Sequence, residues 1–265
     1  MLNNTNLHLL DLTKYKRLFV FGCSFTSYGW PTWADVLSRE MPQAEFYNFG
    51  YPGAGNLMIS CRLTEADHRY KFDENDLVVV MWSTICREDR YKNNQWWRGG
   101  GIFASEIYSQ EYARQYADAK GYLIRDLALF TMASTWMESV PATCITLSSV
   151  PINFQQDEKD TTIQPILDLY ADTIDKILPD ILTLELDGNW SISMLYRNKQ
   201  GERQRDGHPS PDQYYNYLVK LGFPMTPVSL KYANDSTELL TNLASKAELF
   251  YAFAEIKDSK TKTIL

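Results

Sequence analysis

Residues 18–26 read Leu18-Phe19-Val20-Phe21-Gly22-Cys23-Ser24-Phe25-Thr26. An apolar run stops abruptly in small residues, and Ser24 sits at the break. Beyond it, Trp33, Val36 and Leu37 recur at helical spacing, with Asp35, Arg39 and Glu40 between them. This order predicts a strand, a tight turn and a helix. In an open α/β sheet, ligands bind at the carboxyl ends of the strands. A serine there exposes its hydroxyl, and the N–H groups of a nearby helix start favour developing negative charge. A nucleophile beside an anion site is the functional expectation. The alternative is a turn that uses Gly and Ser only for steric and capping reasons. Cys23 is the other nucleophile at this break. Successive side chains at a strand end point to opposite faces, so one of the pair faces the site. We expect that to be Ser24, with Cys23 packed inward.

Two further strongly apolar runs, residues 77–82 and 143–150, match residues 17–21 in character. Continuous runs of this kind fit strands buried on both faces of a parallel sheet. Residues 45–48 and 181–186 predict two weaker strands. Helical patterns lie between them: residues 57–69, residues 105–140 with a break near Gly121, and residues 163–178 ended by Pro179. A fourth covers residues 211–221, with Ser210 as N-cap and Pro211 at the first helical position. Strand–helix alternation predicts an α/β fold, a three-layer α/β/α sandwich around a mostly parallel, doubly wound sheet. Residues 1–222 form this domain. An aromatic and Gly-rich insertion near 91–125 contains Trp96, Trp97 and Gly99 to Gly101 and reads as a lid, a pocket wall or a plain surface loop. Residues 223–265 form a C-terminal helical extension, with helical character at 237–256 and a polar end.

Composition narrows the function classes. The chain has 265 residues, enough for one large α/β domain or two small ones, and 45% of them are hydrophobic. The net charge of −7 comes with no basic stripe, which argues against nucleic-acid binding through phosphate neutralisation. Seventeen Tyr, 12 Phe and 7 Trp exceed what a core needs, so some are expected to line a groove. Cys23, Cys61, Cys86 and Cys144 show no C-x-x-C or zinc spacing and read as buried thiols of a reducing compartment. The first residues lack a charged n-region and a long apolar segment, and no run of 18 apolar residues occurs. The expectation is a cytoplasmic protein with no membrane partner, no cofactor and no metal.

Histidine is scarce, which simplifies the search for a general base. His8 precedes the first strand, and His68 closes a helical pattern in Asp-His-Arg. His208 lies in Asp206-Gly207-His208-Pro209-Ser210-Pro211, a loop just before a helix. Such a loop can hold an imidazole against a carboxylate that fixes its tautomer, although the same residues also make good turn and cap chemistry. Asn48-Phe49-Gly50-Tyr51-Pro52-Gly53-Ala54-Gly55-Asn56 follows the second strand. Its spacing is not a dinucleotide fingerprint, but a glycine there lets a backbone N–H approach a ligand closely.

Taken in order, Gly22-Cys23-Ser24, Asn48-x-Gly50-x-x-Gly53, a strand running into Trp82-Ser83-Thr84, and Asp206-Gly207-His208 resemble the SGNH (GDSL-like) hydrolase family over about residues 17–221. The resemblance implies a flavodoxin-like fold and metal-free ester hydrolysis through an acyl-serine. It implies Ser24 as nucleophile, His208 as general base and Asp206 as the residue that orients the base. It also implies an oxyanion hole built from the N–H groups of Ser24 and Gly53. Two departures stand out. The family's third block, Gly-x-Asn-Asp, has no counterpart here, leaving Ser83, Thr84 or Arg87 to replace the asparagine donor. The family's Asp-x-x-His is shortened to Asp-x-His, and Asp187 is the reserve acid. Substrate contacts are expected from Trp30, Asn56, Arg87, Trp96 and Trp97, whereas Trp33 and Trp82 read as core. The implied substrate is a small-molecule or carbohydrate ester. Acyl transfer on the same scaffold, or a degenerate site that only binds a carbohydrate or a partner, are the alternatives.

Overall fold

The computed structural model describes residues 7–103, 108–153, 162–188, 194–197, 202–243 and 252–253. The three strongest apolar runs are strands: β1 (Arg17–Phe21), β3 (Asp76–Trp82) and β6 (Thr143–Ser148), with β2 (Glu45–Asn48) beside them. Chain-order labels β4 and β5 belong to an insertion described below. All seven residues of β3 are buried, which is why its sequence is apolar without alternation. The four strands are parallel in the order β2-β1-β3-β6, with Phe21 opposite Val80 and Trp82 opposite Ser148. The order reverses between β1 and β3. A crevice at the carboxyl ends of those two strands is where a doubly wound sheet binds ligands.

Helices close both faces of the sheet, giving the expected α/β/α sandwich. On one side α2 (Asn56–Tyr70) contacts α4 (Ala119–Ser139). On the other, α1 (Trp33–Ser38), α8 (Pro211–Leu221) and α9 (Pro227–Asn242) contact one another. Helix α8 starts as its sequence predicts. Ser210 and Gln213 form a reciprocal cap, Pro211 opens the helix, and Gly222 ends it at φ 91°. Trp33 and Trp82 are buried core residues.

The segment near 91–125 has its own structure. Strands β4 (Arg87–Lys92) and β5 (Gln95–Gly101) form an antiparallel hairpin. Its two turn residues, Asn93 and Asn94, both adopt left-handed backbone, at φ 53° and 59°. That conformation matches the twist of a two-residue hairpin, and Asn tolerates it. Helix α3 (Gln110–Tyr116) follows, and the expected break near Gly121 falls at Ala117 and Asp118, where the Asp118 carboxylate caps α4 by accepting the Gly121 N–H.

Several expectations are corrected. Residues 181–186 are not a strand but begin with helix α7 (Ile181–Leu184). Asp180 caps it by accepting the Thr183 N–H at 2.8 Å, and Ile181, Leu182 and Leu186 turn one apolar face inward. The segment 163–178 is not one helix. It divides at Tyr170 into α5 (Gln164–Leu169) and α6 (Ala171–Ile174). The C-terminal helix α9 starts at Pro227 rather than near 237, and beyond Leu243 only Ala252 and Phe253 are among the described residues. Cys61 is exposed, unlike the other three cysteines.

Candidate active site

Ser24 sits in a turn directly after β1, not at a helix start. The Thr26 and Ser27 N–H groups donate to the Cys23 carbonyl at 3.0 and 3.1 Å, and α1 opens only at Trp33. The expected helix start beside Ser24 is therefore absent, and the nearest helix begins nine residues later. Cys23 is fully buried, while Ser24 keeps 8% of its surface exposed.

The turn is held from several directions. The Thr26 carbonyl accepts from Thr32 Oγ1 at 2.7 Å and from Asn48 Nδ2 at 2.9 Å, and Asn48 Oδ1 accepts the Gly50 N–H at 2.9 Å. A Cβ added to Gly22 would overlap Thr26 Oγ1, and one added to Gly50 would stand 2.8 Å from Thr26 Cβ and 2.9 Å from the Ser27 nitrogen. The motif glycines at 22 and 50 thus make room for one threonine. Gly53 has a different job. It occupies φ 85° in a turn closed by the Ala54 N–H on the Tyr51 carbonyl, a geometry that favours glycine.

Asp206 and His208 are joined as expected. Asp206 Oδ1 lies 2.5 Å from His208 Nδ1 and also accepts the His208 backbone N–H at 3.0 Å. Oδ2 accepts from the Tyr28 hydroxyl at 2.8 Å. Burial opposes ionisation of Asp206. Its contacts with His208 and Tyr28 outweigh that and hold the carboxyl below its ordinary value. The imidazole is packed over the Ser24 turn: Tyr28 stacks on it with centroids 3.7 Å apart, and Phe25 lies 5.2 Å away. Among the described residues no hydrogen bond joins Ser24 to His208. Asp187, the reserve acid, is an exposed residue at φ 48°. His8 and His68 are exposed and stand outside this cluster.

A second polar group lies where β3 ends. Asn56, fully buried at the start of α2, accepts the Ser83 N–H at 2.8 Å and donates to the Ser83 carbonyl at 3.1 Å and to Asp126 Oδ2 at 2.7 Å. Its amide is committed to the protein. Arg87 donates to the Ala54 carbonyl at 2.8 Å and to Thr84 Oγ1 at 3.0 Å, tying the glycine loop to the end of β3. Ser83 Oγ is buried and has no hydrogen-bond partner among the described residues. Burial pushes Asp89 and Asp126 above the ordinary carboxyl range, against the hydrogen bonds and arginines that favour their charged forms.

The aromatic candidates divide. Trp30 is fully buried and donates through Nε1 to the Pro209 carbonyl at 2.8 Å, which makes it a wall behind the His208 loop. It packs with Leu240, Leu243 and Phe253 of the C-terminal segment. Trp96 and Trp97 lie on the hairpin. Trp96 is half-buried against Tyr91, and Trp97 is 41% exposed with Lys92 over its ring. Tyr28, which contacts both Asp206 and His208, escaped sequence reasoning, because no motif marks a tyrosine whose partner lies 178 positions away.

Chemically, a carboxylate on Nδ1 fixes the imidazole tautomer and leaves Nε2 to take a proton. Among the described residues no group of three or more His, Cys, Asp or Glu is arranged to hold a metal ion, and no helix is long and apolar enough to cross a membrane.

No protein-family model and no curated protein matches the chain. Among solved structures, the chain is similar to a member of the lipolytic protein G-D-S-L family from Veillonella parvula DSM 2008, at 16% identity and a TM-score of 0.40 over 77% of this chain and 95% of that one. It is similar to a catalytic mutant of an acetylxylan esterase from Geobacillus stearothermophilus, at 15% identity and a TM-score of 0.43 over 80% and 95%. It is also similar to an alpha/beta hydrolase enzyme from the metagenome of Lake Arreo, at 12% identity and a TM-score of 0.43 over 81% and 98%.

Proposed function

We propose that the protein is a serine hydrolase that cleaves a carboxylic ester through an acyl-serine. The observation that carries this reading is the Asp206–His208 pair, 2.5 Å apart, packed over the turn that presents Ser24. Catalytic hydrogen bonds are often long or poorly aligned before substrate binds and tighten only in the substrate complex, which is where Ser24 and His208 make theirs in this reading. His208 Nε2 takes the Ser24 proton as Oγ attacks the carbonyl, and the imidazolium then protonates the leaving alcohol. Water cleaves the acyl-enzyme by the reverse path.

The oxyanion is held by the N–H groups of Ser24 and Gly53. We assign the third donor to Ser83 Oγ, a buried hydroxyl with no partner at the end of β3, across the β1/β3 crevice from Ser24. Thr84, whose hydroxyl accepts from Arg87 and keeps its own O–H to donate, is the second candidate. Arg87, which borders the glycine loop, and the hairpin residues Trp96 and Trp97 supply substrate contacts in this reading. A small acyl or O-acetylated carbohydrate ester is the substrate class.

Fluorophosphonate labelling, read by intact mass against Ser24→Ala, tests the proposal. One adduct on the folded protein that disappears in the variant supports it. Absence of an adduct favours a carbohydrate- or partner-binding module on the same scaffold, the reading that the missing Ser24–His208 hydrogen bond supports.

A further inference from the structure

The short Asp-x-His spacing has a geometric result. With only Gly207 between them in sequence, one oxygen of Asp206 serves both the backbone N–H and the ring Nδ1 of His208, at 3.0 and 2.5 Å. The other oxygen is left over. Tyr28 takes it, at 2.8 Å, and lays its ring nearly parallel to the imidazole, with an interplanar angle of 19°. One side chain thus fixes the carboxylate by a hydrogen bond and the imidazole by stacking. Tyr28 also lies four positions after Ser24, on the segment that leaves the nucleophile turn.

Tyr28 is itself held. Trp30 meets its ring edge-on at 4.6 Å, and the Trp30 indole is anchored to the Pro209 carbonyl one residue beyond His208. The titratable groups facing the pair are few. Asp206 and His208 face each other and Tyr28; Tyr214 approaches Asp206 from α8, with Cys23 and Asp35 near the Tyr214 hydroxyl in turn.

We propose that Tyr28 is the positioning residue that couples the nucleophile turn to the Asp206–His208 pair. What the pair is for rests on the hydrolase reading; the coupling does not. A phenol donating to a carboxylate draws off part of its charge. Without it the carboxylate is more basic and holds the imidazolium proton more firmly.

The test is Tyr28→Phe, which keeps the stacked ring and removes only the hydroxyl. The histidines are ¹³C-labelled and titrated by NMR, with the His208 signals assigned through His208→Gln. The expected result is that the pair titrates about half a pH unit higher in Tyr28→Phe, with His8 and His68 unmoved. On p-nitrophenyl acetate the acid limb of kcat/KM moves the same way, and kcat falls about tenfold with little change in KM. Tyr28→Leu, which also loses the stack, shows the larger loss. Coincident titration curves for wild type and Tyr28→Phe overturn the proposal and reduce Tyr28 to packing. A shifted titration in a protein whose Ser24 takes no fluorophosphonate upholds the coupling and rejects the hydrolase reading.

Discussion

Asp89 Oδ1 accepts the Gly55 N–H at 2.8 Å, so that a strand of the inserted hairpin caps a helix of the central sandwich. The second oxygen accepts the Met58 N–H at 2.9 Å, and Arg87 on the same strand reaches the Ala54 carbonyl. The hairpin is therefore the clamp on the glycine loop. A side chain at Gly55 is excluded by the same contact, since its Cβ would stand 2.6 Å from Asp89 Oδ2.

Replacing Asp89 with Ala leaves two helix-start N–H groups without an acceptor in a buried place. We expect a loss of about 2 kcal/mol in unfolding free energy. Urea denaturation measures it. A change below about 0.5 kcal/mol is the ordinary surface result and means the cap is not used.

Asp206→Asn removes the carboxylate that orients His208. Ester turnover is expected to fall by about 10³ to 10⁴, while the fold persists. The acid also has a stability signature. Its folded pKa is held below the ordinary value, so its stabilisation is complete above the unfolded value of about 3.9 and is lost as pH falls through the folded one. The stability gap between wild type and Asp206→Asn should be open at pH 7 and close in strong acid. A gap that widens on acidification contradicts the assignment.

Ser83→Ala separates catalysis from folding. Its hydroxyl is buried without a partner, so deleting it should cost almost no stability. If Ser83 donates to the oxyanion, kcat falls by about 10² to 10³ with KM nearly unchanged. Thr84→Ala, measured alongside, should cost far less. Equal activity of Ser83→Ala and wild type removes Ser83 from the oxyanion hole.

Gly22→Ala forces a methyl group into Thr26 Oγ1, with the Met81 carbonyl 3.0 Å away. A destabilisation of about 1–3 kcal/mol is expected. Because that hydroxyl has no hydrogen-bond partner among the described residues, Thr26→Ala alone should cost less, and the double variant should recover part of the Gly22→Ala loss. Strict additivity in the double-mutant cycle would show that the two residues do not meet.

Much of the fold could be read from residues whose neighbours in sequence explain them. β3 is buried at every position, so its composition alone marks it as a central strand. Ser210, Pro211 and Gly222 set the limits of α8 by local chemistry. Residues 181–186 misled because apolar residues at 181, 182, 184 and 186 satisfy either period, and only the Asp180 cap selects the helix. The pairing of Asp206 with His208 was legible because a single residue separates them. The contacts of Tyr28 with Asp206, Asn56 with Asp126 and Trp30 with Pro209 were not, since each joins distant parts of the chain that only the folded sheet brings together.

The cluster of Trp30 with Leu240, Leu243 and Phe253 gives this molecule a particular order of assembly. Trp30 is synthesised long before its partners. On the ribosome, the strand and turn bearing Ser24 can form while the wall behind them is still untranslated. Contacts so far apart in sequence close slowly and leave apolar surface uncovered meanwhile. The nascent chain therefore carries the Trp30 indole without these partners until residues 240–253 are made.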